Sequence, residues 1–337
     1  MITRGLLLAV AYALTSLACA AHAGDCPSEP PVARVESAKF YSDSHGAVLD
    51  KDKVEERNRA ILPLRNFVSD VSARIDGADR AGQECAQQMM LAWAQANALL
   101  EEPSDMAGQR DRQIFTISLN IIALKLQAAG LGIEPLLGWL GQVNHAVIDY
   151  FAKRNKLAAA THRPEAGWAP VDNLYVWSGV DAASFAVLDH DRVARQYEDE
   201  VWSAEIKAIR PDGYVESELR RAGRALSYHV YDLSALLTLH AFRESLGEAL
   251  TAQERAAIDR LVDRVGAALC DPAAMATAAG GFPQEKPVAS SVGTGFALEP
   301  QFLSQQIRSF LAGIPTTDPL FGGNLARTAD ILANRRR

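Results

Sequence analysis

Residues 214–233 read YVESELRRAGRALSYHVYDL, and they concentrate the groups best suited to chemistry. On a helix at about 100° per residue, Arg220, Arg221, Tyr228 and Tyr231 all fall within roughly 60° of Arg224. One face then carries several cations beside two phenols. Arginine makes planar, two-pronged contacts to carboxylates. A phenol beside arginine is a candidate proton carrier, because the cation favours the phenolate. Such a face would suit a carboxylated sugar polymer. The pattern also fits a solvated arginine face flanked by amphipathic tyrosines. His229 lies about 140° from Arg224, which suits a hydrogen-bonding post for a neighbouring helix or loop.

Other signatures are weak. There is no HExxH, CxxC, GxSxG or P-loop. Asp189-His190-Asp191 resembles a metal cluster, but three adjacent residues at a helix end point in different directions, so capping is expected there. Gly293-Thr294-Gly295 follows no strand and is a poor nucleotide signal. Lys plus Arg is 34 against 41 for Asp plus Glu, a net charge of −7. That balance argues against nucleic acid as partner while leaving room for a polyanion in a locally basic cleft.

The elements that must position these groups are helices. Residues 51–76, 80–102, 108–130, 133–156, 171–188, 191–208, 215–245 and 252–270 carry apolar residues at three- and four-residue spacing. Convincing strand alternation is absent. Pro103, Gly130, Gly132, Pro164, Pro211 and Gly213 punctuate the joints, and Asp271-Pro272 stops the last long helix. The pattern predicts an all-α bundle, solenoid or toroid of helical hairpins. Residues 273–300 read as an irregular loop, either a lid or a plain surface loop.

Residues 1–23 read as a signal peptide: Arg4, an apolar run over 5–18, and Ala21-His22-Ala23 as cleavage pattern, with Gly24 as the mature start. The run is short for a membrane span, and no later segment is long and apolar enough to be one. The expected location is periplasmic or secreted. Export makes a disulfide possible. Cys26–Cys85 is the preferred pair, tying the N-terminal arm to a helix, with Cys270 a free, buried thiol; the alternative is that all three stay reduced.

The segment 218–233, ELRRAGRALSYHVYDL, resembles the RALxYHxY helix of the periplasmic, mannuronate-specific alginate lyases of bacteria. Further landmarks follow in the same order. Lys39-Phe40 with Ser42-Asp43-Ser44 resembles the family's N-terminal lysine motif, one residue shorter. Glu84-Cys85-Ala86 through Trp93-Ala94 to Ala98-Leu99-Leu100 resembles its cysteine helix. Leu298-Glu299-Pro300 and Phe321-Gly322-Gly323 resemble its C-terminal segments. The resemblance implies one incomplete (α/α) toroid over 24–337, monomeric, with a tunnel-like cleft.

It also implies β-elimination on a 4-linked uronate, with no metal or organic cofactor. The C5 carboxylate must be neutralised, the C5 proton removed, and the O4 leaving oxygen protonated. By the resemblance, Arg224 and Asn173 neutralise the carboxylate. Tyr231 protonates O4 and can also take the C5 proton. Trp177 packs a sugar ring, and Lys39, Arg221 and Tyr228 contact neighbouring sugars. The chain departs from the family at one point: where the family reads Asn-Asn-His, it reads Asp172-Asn173-Leu174. Leucine can neither carry a proton nor donate a hydrogen bond, and Asp172 would repel an anion unless an arginine pairs with it. Tyr231 could then act alone, or Tyr175, His145 or His162 could substitute for the histidine. Two other outcomes stay open: a protein that binds polyuronate without turnover, and a glycoside hydrolase. The hydrolase would need two opposed carboxyls, for which Asp172, Asp181 and Glu218 are candidates.

Overall fold

The computed structural model describes residues 26–37, 39–43, 46–161, 171–288, 294–312 and 316–335. The signal peptide over 1–23, the start at Gly24, and His162 lie outside the described residues. Helices α1 (Lys51–Ala60), α2 (Leu62–Asp76), α3 (Arg80–Gln95), α4 (Met106–Ala128), α5 (Glu134–Thr161), α6 (Asn173–Asp189) and α7 (Arg192–Ala208) come first. They are followed by α8 (Glu216–Leu219), α9 (Ala225–Ser245), α10 (Ala252–Cys270), α11 (Ala273–Ala278), α12 (Thr294–Leu298), α13 (Gln305–Leu311) and α14 (Leu325–Arg335). One short antiparallel ladder pairs β1 (Thr317–Asp318) with β2 (Gly323–Asn324).

The long helices form antiparallel pairs: α2 with α3, α4 with α5, α6 with α7, α9 with α10. The first members α2, α4, α6 and α9 touch in succession and make an inner wall. The second members α3, α5, α7 and α10 touch in succession outside it. This is an incomplete (α/α) toroid. Its inner wall is closed by C-terminal pieces: α12 packs on α9 and α14, α14 reaches α4, and the 3₁₀ turn Pro319–Phe321 packs on α2 and α4. Lys125 bolts this closure. Fully buried, it donates to Asp76 (2.8 Å), to the Gly322 carbonyl (2.6 Å) and to the Asn324 carbonyl (3.0 Å). The sequence NLYVWSGVDAASFAVLD explains the central place of α6: it has no sustained polar face, and Asn173 through Leu188 are all buried.

The structure revises four expectations. Residues 51–76 form two helices, because Ile61 leaves helical geometry just before Pro63, which sits in the first turn of α2. Residues 215–245 are not one helix. Ala222 adopts φ 49°, a 3₁₀ turn runs over Ala222–Arg224, and α9 starts only at Ala225. Cys270 is exposed. Residues 273–300 contain α11 and α12, and their irregular part braces the break before α9 instead of lying loose. Gln284 accepts from the Leu226 N–H (2.9 Å) and donates to the Ala222 carbonyl (3.0 Å), while the Glu285 N–H donates to the Gly223 carbonyl (2.7 Å). Gln284 thereby satisfies an orphan donor at the N-terminus of α9.

Cys26 and Cys85 are disulfide-bonded, with Cα atoms 5.5 Å apart, so the N-terminal arm is tied to α3. The arm then crosses the toroid. Its Val32 carbonyl accepts from the Leu99 N–H, and Ser37 donates to Asp111. His190 ends α6 in the left-handed region and Asp191 caps α7, as capping requires. No described helix is long and apolar enough to cross a membrane.

Candidate active site

A cleft of about 560 Å³ opens between the arm and the inner wall, lined by Lys39, Asn173, Arg221, Arg224, Tyr228 and Tyr231. An adjoining compartment of about 720 Å³ shares Arg57, Arg110 and Tyr231 with it and contains Trp177. Trp177 is nearly enclosed. Its ring packs on Tyr231 (5.2 Å between centroids) and Phe321 (5.3 Å). Arg220 leaves the group, because the backbone turns before α9; it is exposed and faces Glu216.

Three elements deliver these side chains. The break before α9 swings Arg221 and Arg224 toward the arm. There Arg224 donates to the Tyr41 hydroxyl (3.0 Å) and approaches Glu285 (3.5 Å). The first turns of α9 bring Tyr228 and Tyr231. Tyr228 hydrogen-bonds Tyr41 and lies under the Arg221 guanidinium (4.3 Å to the ring centroid). The arm places Phe40 between Arg57 and Arg110, 5.3 and 5.1 Å from its ring centroid. His229 supports the turn, as its position on the wheel implied. Its Nδ1 meets the Ala225 carbonyl and its Nε2 accepts from the Val215 N–H (3.0 Å). That pattern fixes a neutral imidazole, and burial pushes its pKa down to about 4.

The cleft is strongly basic although the chain is acidic. Lys39, Arg57, Arg110, Arg154, Arg221 and Arg224 line it, against Asp43. Asp43 turns its carboxylate onto the Ala47 and Val48 N–H groups. Asp111, in the adjoining compartment, is held by Arg57 (2.9 Å) and Ser37 (2.8 Å). Burial raises the Tyr231 pKa, and the nearby Arg110 and Arg57 guanidinium charges oppose that rise. Burial also raises Tyr228.

Asn173, the first residue of α6, is clamped from below. Glu218 accepts from its backbone N–H and from its Nδ2, both at 3.0 Å. Asp172 caps α6 and is gripped two-pronged by Arg154 (3.1 and 2.5 Å). Burial would raise its pKa, but Arg154 outweighs that and holds it below the ordinary value. Asp172 therefore does not confront the cleft as a bare charge. Leu174 lines the cleft wall, and its carbonyl accepts from Gln113. Tyr175 is buried against Tyr197, and His145 pairs with Asp191 near the α6–α7 turn; neither lines the cleft. Arg57, Arg110, Tyr41 and Glu218 were not singled out for these roles from sequence. The two arginines sit at ordinary helix-surface spacing, and only the fold turns them inward.

The alginate lyase family profile matches residues 63–275. A polysaccharide lyase of Stenotrophomonas maltophilia is 26% identical over 279 residues, covering 79% of this chain and 80% of its own length. An alginate lyase of Pseudomonas paraeruginosa is 27% identical over 259 residues, 72% of this chain and 67% of its own. Among solved structures, a tyrosine-to-phenylalanine variant of alginate lyase A1-III complexed with a tetrasaccharide superposes with a TM-score of 0.69. Its identity is 17%, and the match covers 90% of this chain and 86% of that one.

Proposed function

The chain belongs to the alginate lyase family, and we propose that it is an exported, monomeric polysaccharide lyase acting on a 4-linked uronate polymer, mannuronate-rich alginate foremost, by β-elimination. One observation carries this reading: a single cleft gathers Tyr231, Arg224 and Asn173 among further cations. In this reading Arg224 and Asn173 neutralise the C5 carboxylate, which acidifies the neighbouring C–H. Tyr231, as phenolate, takes the C5 proton and returns it to O4 as the C4–O4 bond breaks. Arg221, Lys39 and Tyr228 bind the flanking sugars, and Trp177 walls the adjoining compartment. Leu174 carries no proton, so the phenolate must be stabilised by other means. The positive charges of Arg110 and Arg57 supply that stabilisation.

A second reading, a polyuronate-binding protein without turnover, draws support from Leu174 alone. The hydrolase reading loses ground: Asp172 is gripped by Arg154, Asp181 and Glu218 are buried, and none of the three lines the cleft. The deciding experiment follows the absorbance of unsaturated uronate product with polymannuronate, polyguluronate, polyglucuronate and hyaluronate. A rise on one of them supports the lyase and names its sugar. No rise on any, together with saturable binding to one, supports the second reading.

A further inference from the structure

Beyond the cleft, His240, Glu244 and Glu299 converge: one ligand atom from each lies within 4.8 Å of the other two. His240 and Glu244 stand one helical turn apart on α9, so both side chains leave the same face. Glu299 comes from the chain just before the 3₁₀ turn Pro300–Phe302. His240 Nδ1 is 3.0 Å from Glu299 Oε1, yet the buried Nδ1 makes no hydrogen bond. Close approach without a directed hydrogen bond is the relation between two ligands of one ion. Donors held about 2.0–2.2 Å from a metal stand roughly 3–3.5 Å from one another. Trp202 and Phe302 flank the imidazole, with ring centroids at 6.0 and 5.3 Å.

We propose that His240, Glu244 and Glu299 bind one divalent transition-metal ion, with Zn²⁺ as the probe. The donor set of one imidazole and two carboxylates matches such an ion, whereas Ca²⁺ and Mg²⁺ favour oxygen alone. The two carboxylates carry the negative charge that a divalent cation cancels. His240 lies nine residues beyond Tyr231, about 14 Å along the helix, so the ion is structural. It staples the C-terminal segment to the helix that carries the tyrosines.

The test uses the mature, untagged chain, stripped with EDTA and titrated calorimetrically with ZnCl₂ in the absence of polysaccharide. One equivalent should bind per chain. His240→Gln should weaken binding about tenfold or more, and Glu244→Gln, at a half-buried position, should weaken it as well. His145→Gln, at the other histidine–carboxylate pair, should leave it intact. The Co²⁺ form should show ligand-field bands without thiolate charge transfer, which separates this site from exposed Cys270. No saturable binding, binding unchanged by both His240→Gln and Glu244→Gln, or binding lost in His145→Gln would each overturn the proposal.

Discussion

Glu218→Gln should cripple turnover while leaving the fold intact. Glu218 presents two acceptor oxygens to two donors of one residue, the Asn173 N–H and Nδ2, both at 3.0 Å. Glutamine keeps the size but turns one acceptor into an NH₂ group. Whichever way it lies, one donor faces a donor. The backbone N–H cannot move, so the Asn173 amide flips, and the N–H group that meets the uronate carboxylate in the proposed mechanism is replaced by an oxygen. Losing one hydrogen bond to a charged group is worth about 1.5–3 kcal/mol, or roughly a 10- to 150-fold fall in kcat/KM. Stability should hold or rise. Glu218 is buried beside Asp172, Glu205 and Asp232, burial pushes Glu205 up to about 7, and burial also raises Glu218. Removing one acid from that crowd relieves repulsion. There is also a pH signature. Protonated Glu218 resembles glutamine, so wild-type activity should fall in acid as pH drops through its raised pKa, and the variant should lack that limb. The assay is kcat/KM on polymannuronate against pH, beside a thermal midpoint. Activity within twofold of wild type across that range would refute the clamp.

Tyr231→Phe should lower turnover by about 10²–10⁴ with polymer binding largely retained, measured by product absorbance and calorimetry. If the Tyr231 phenolate is the base, its population is small at neutral pH, since an ordinary phenol has a pKa of about 10 and burial raises this one further. Deprotonation grows as pH rises, so turnover should climb about tenfold per unit between roughly pH 7 and 9; a flat profile would point to another base. The Cys26–Cys85 bond closes a loop with a sequence separation of 59, for which chain entropy gives about 4 kcal/mol. Cys26→Ser should therefore lower the midpoint in denaturant, and an unchanged midpoint would count against the entropic account.

Much of this architecture was legible because helices advertise themselves: apolar spacing marked each long pair, and Pro or Gly marked most joints. The break before α9 was not, because it depends on Gln284 and Glu285 bracing residues 62 positions earlier. The helical wheel therefore placed Arg221, Arg224, Tyr228 and Tyr231 together correctly but wrongly kept Arg220 with them. Arg57 and Arg110 belong to no motif in the sequence. In the fold they flank Phe40 of the arm and lie beside Asp111. Asp172 read as a hazard to an anionic ligand until Arg154, 18 residues before it, was seen to grip it.

The bolt at Lys125 ties closure of the inner wall to the C-terminal segment. Its partners at Gly322 and Asn324 lie 197 and 199 residues downstream, and Asn324 also donates to Asp76 across 248 residues. Until those carbonyls leave the ribosome, closing the inner wall would trap an ammonium lacking two of its acceptors, which is costly. Contacts of such long range also form slowly. Closure of the inner wall is thus a late event of folding, one that waits for the turn around Gly322 and Asn324 to reach Lys125.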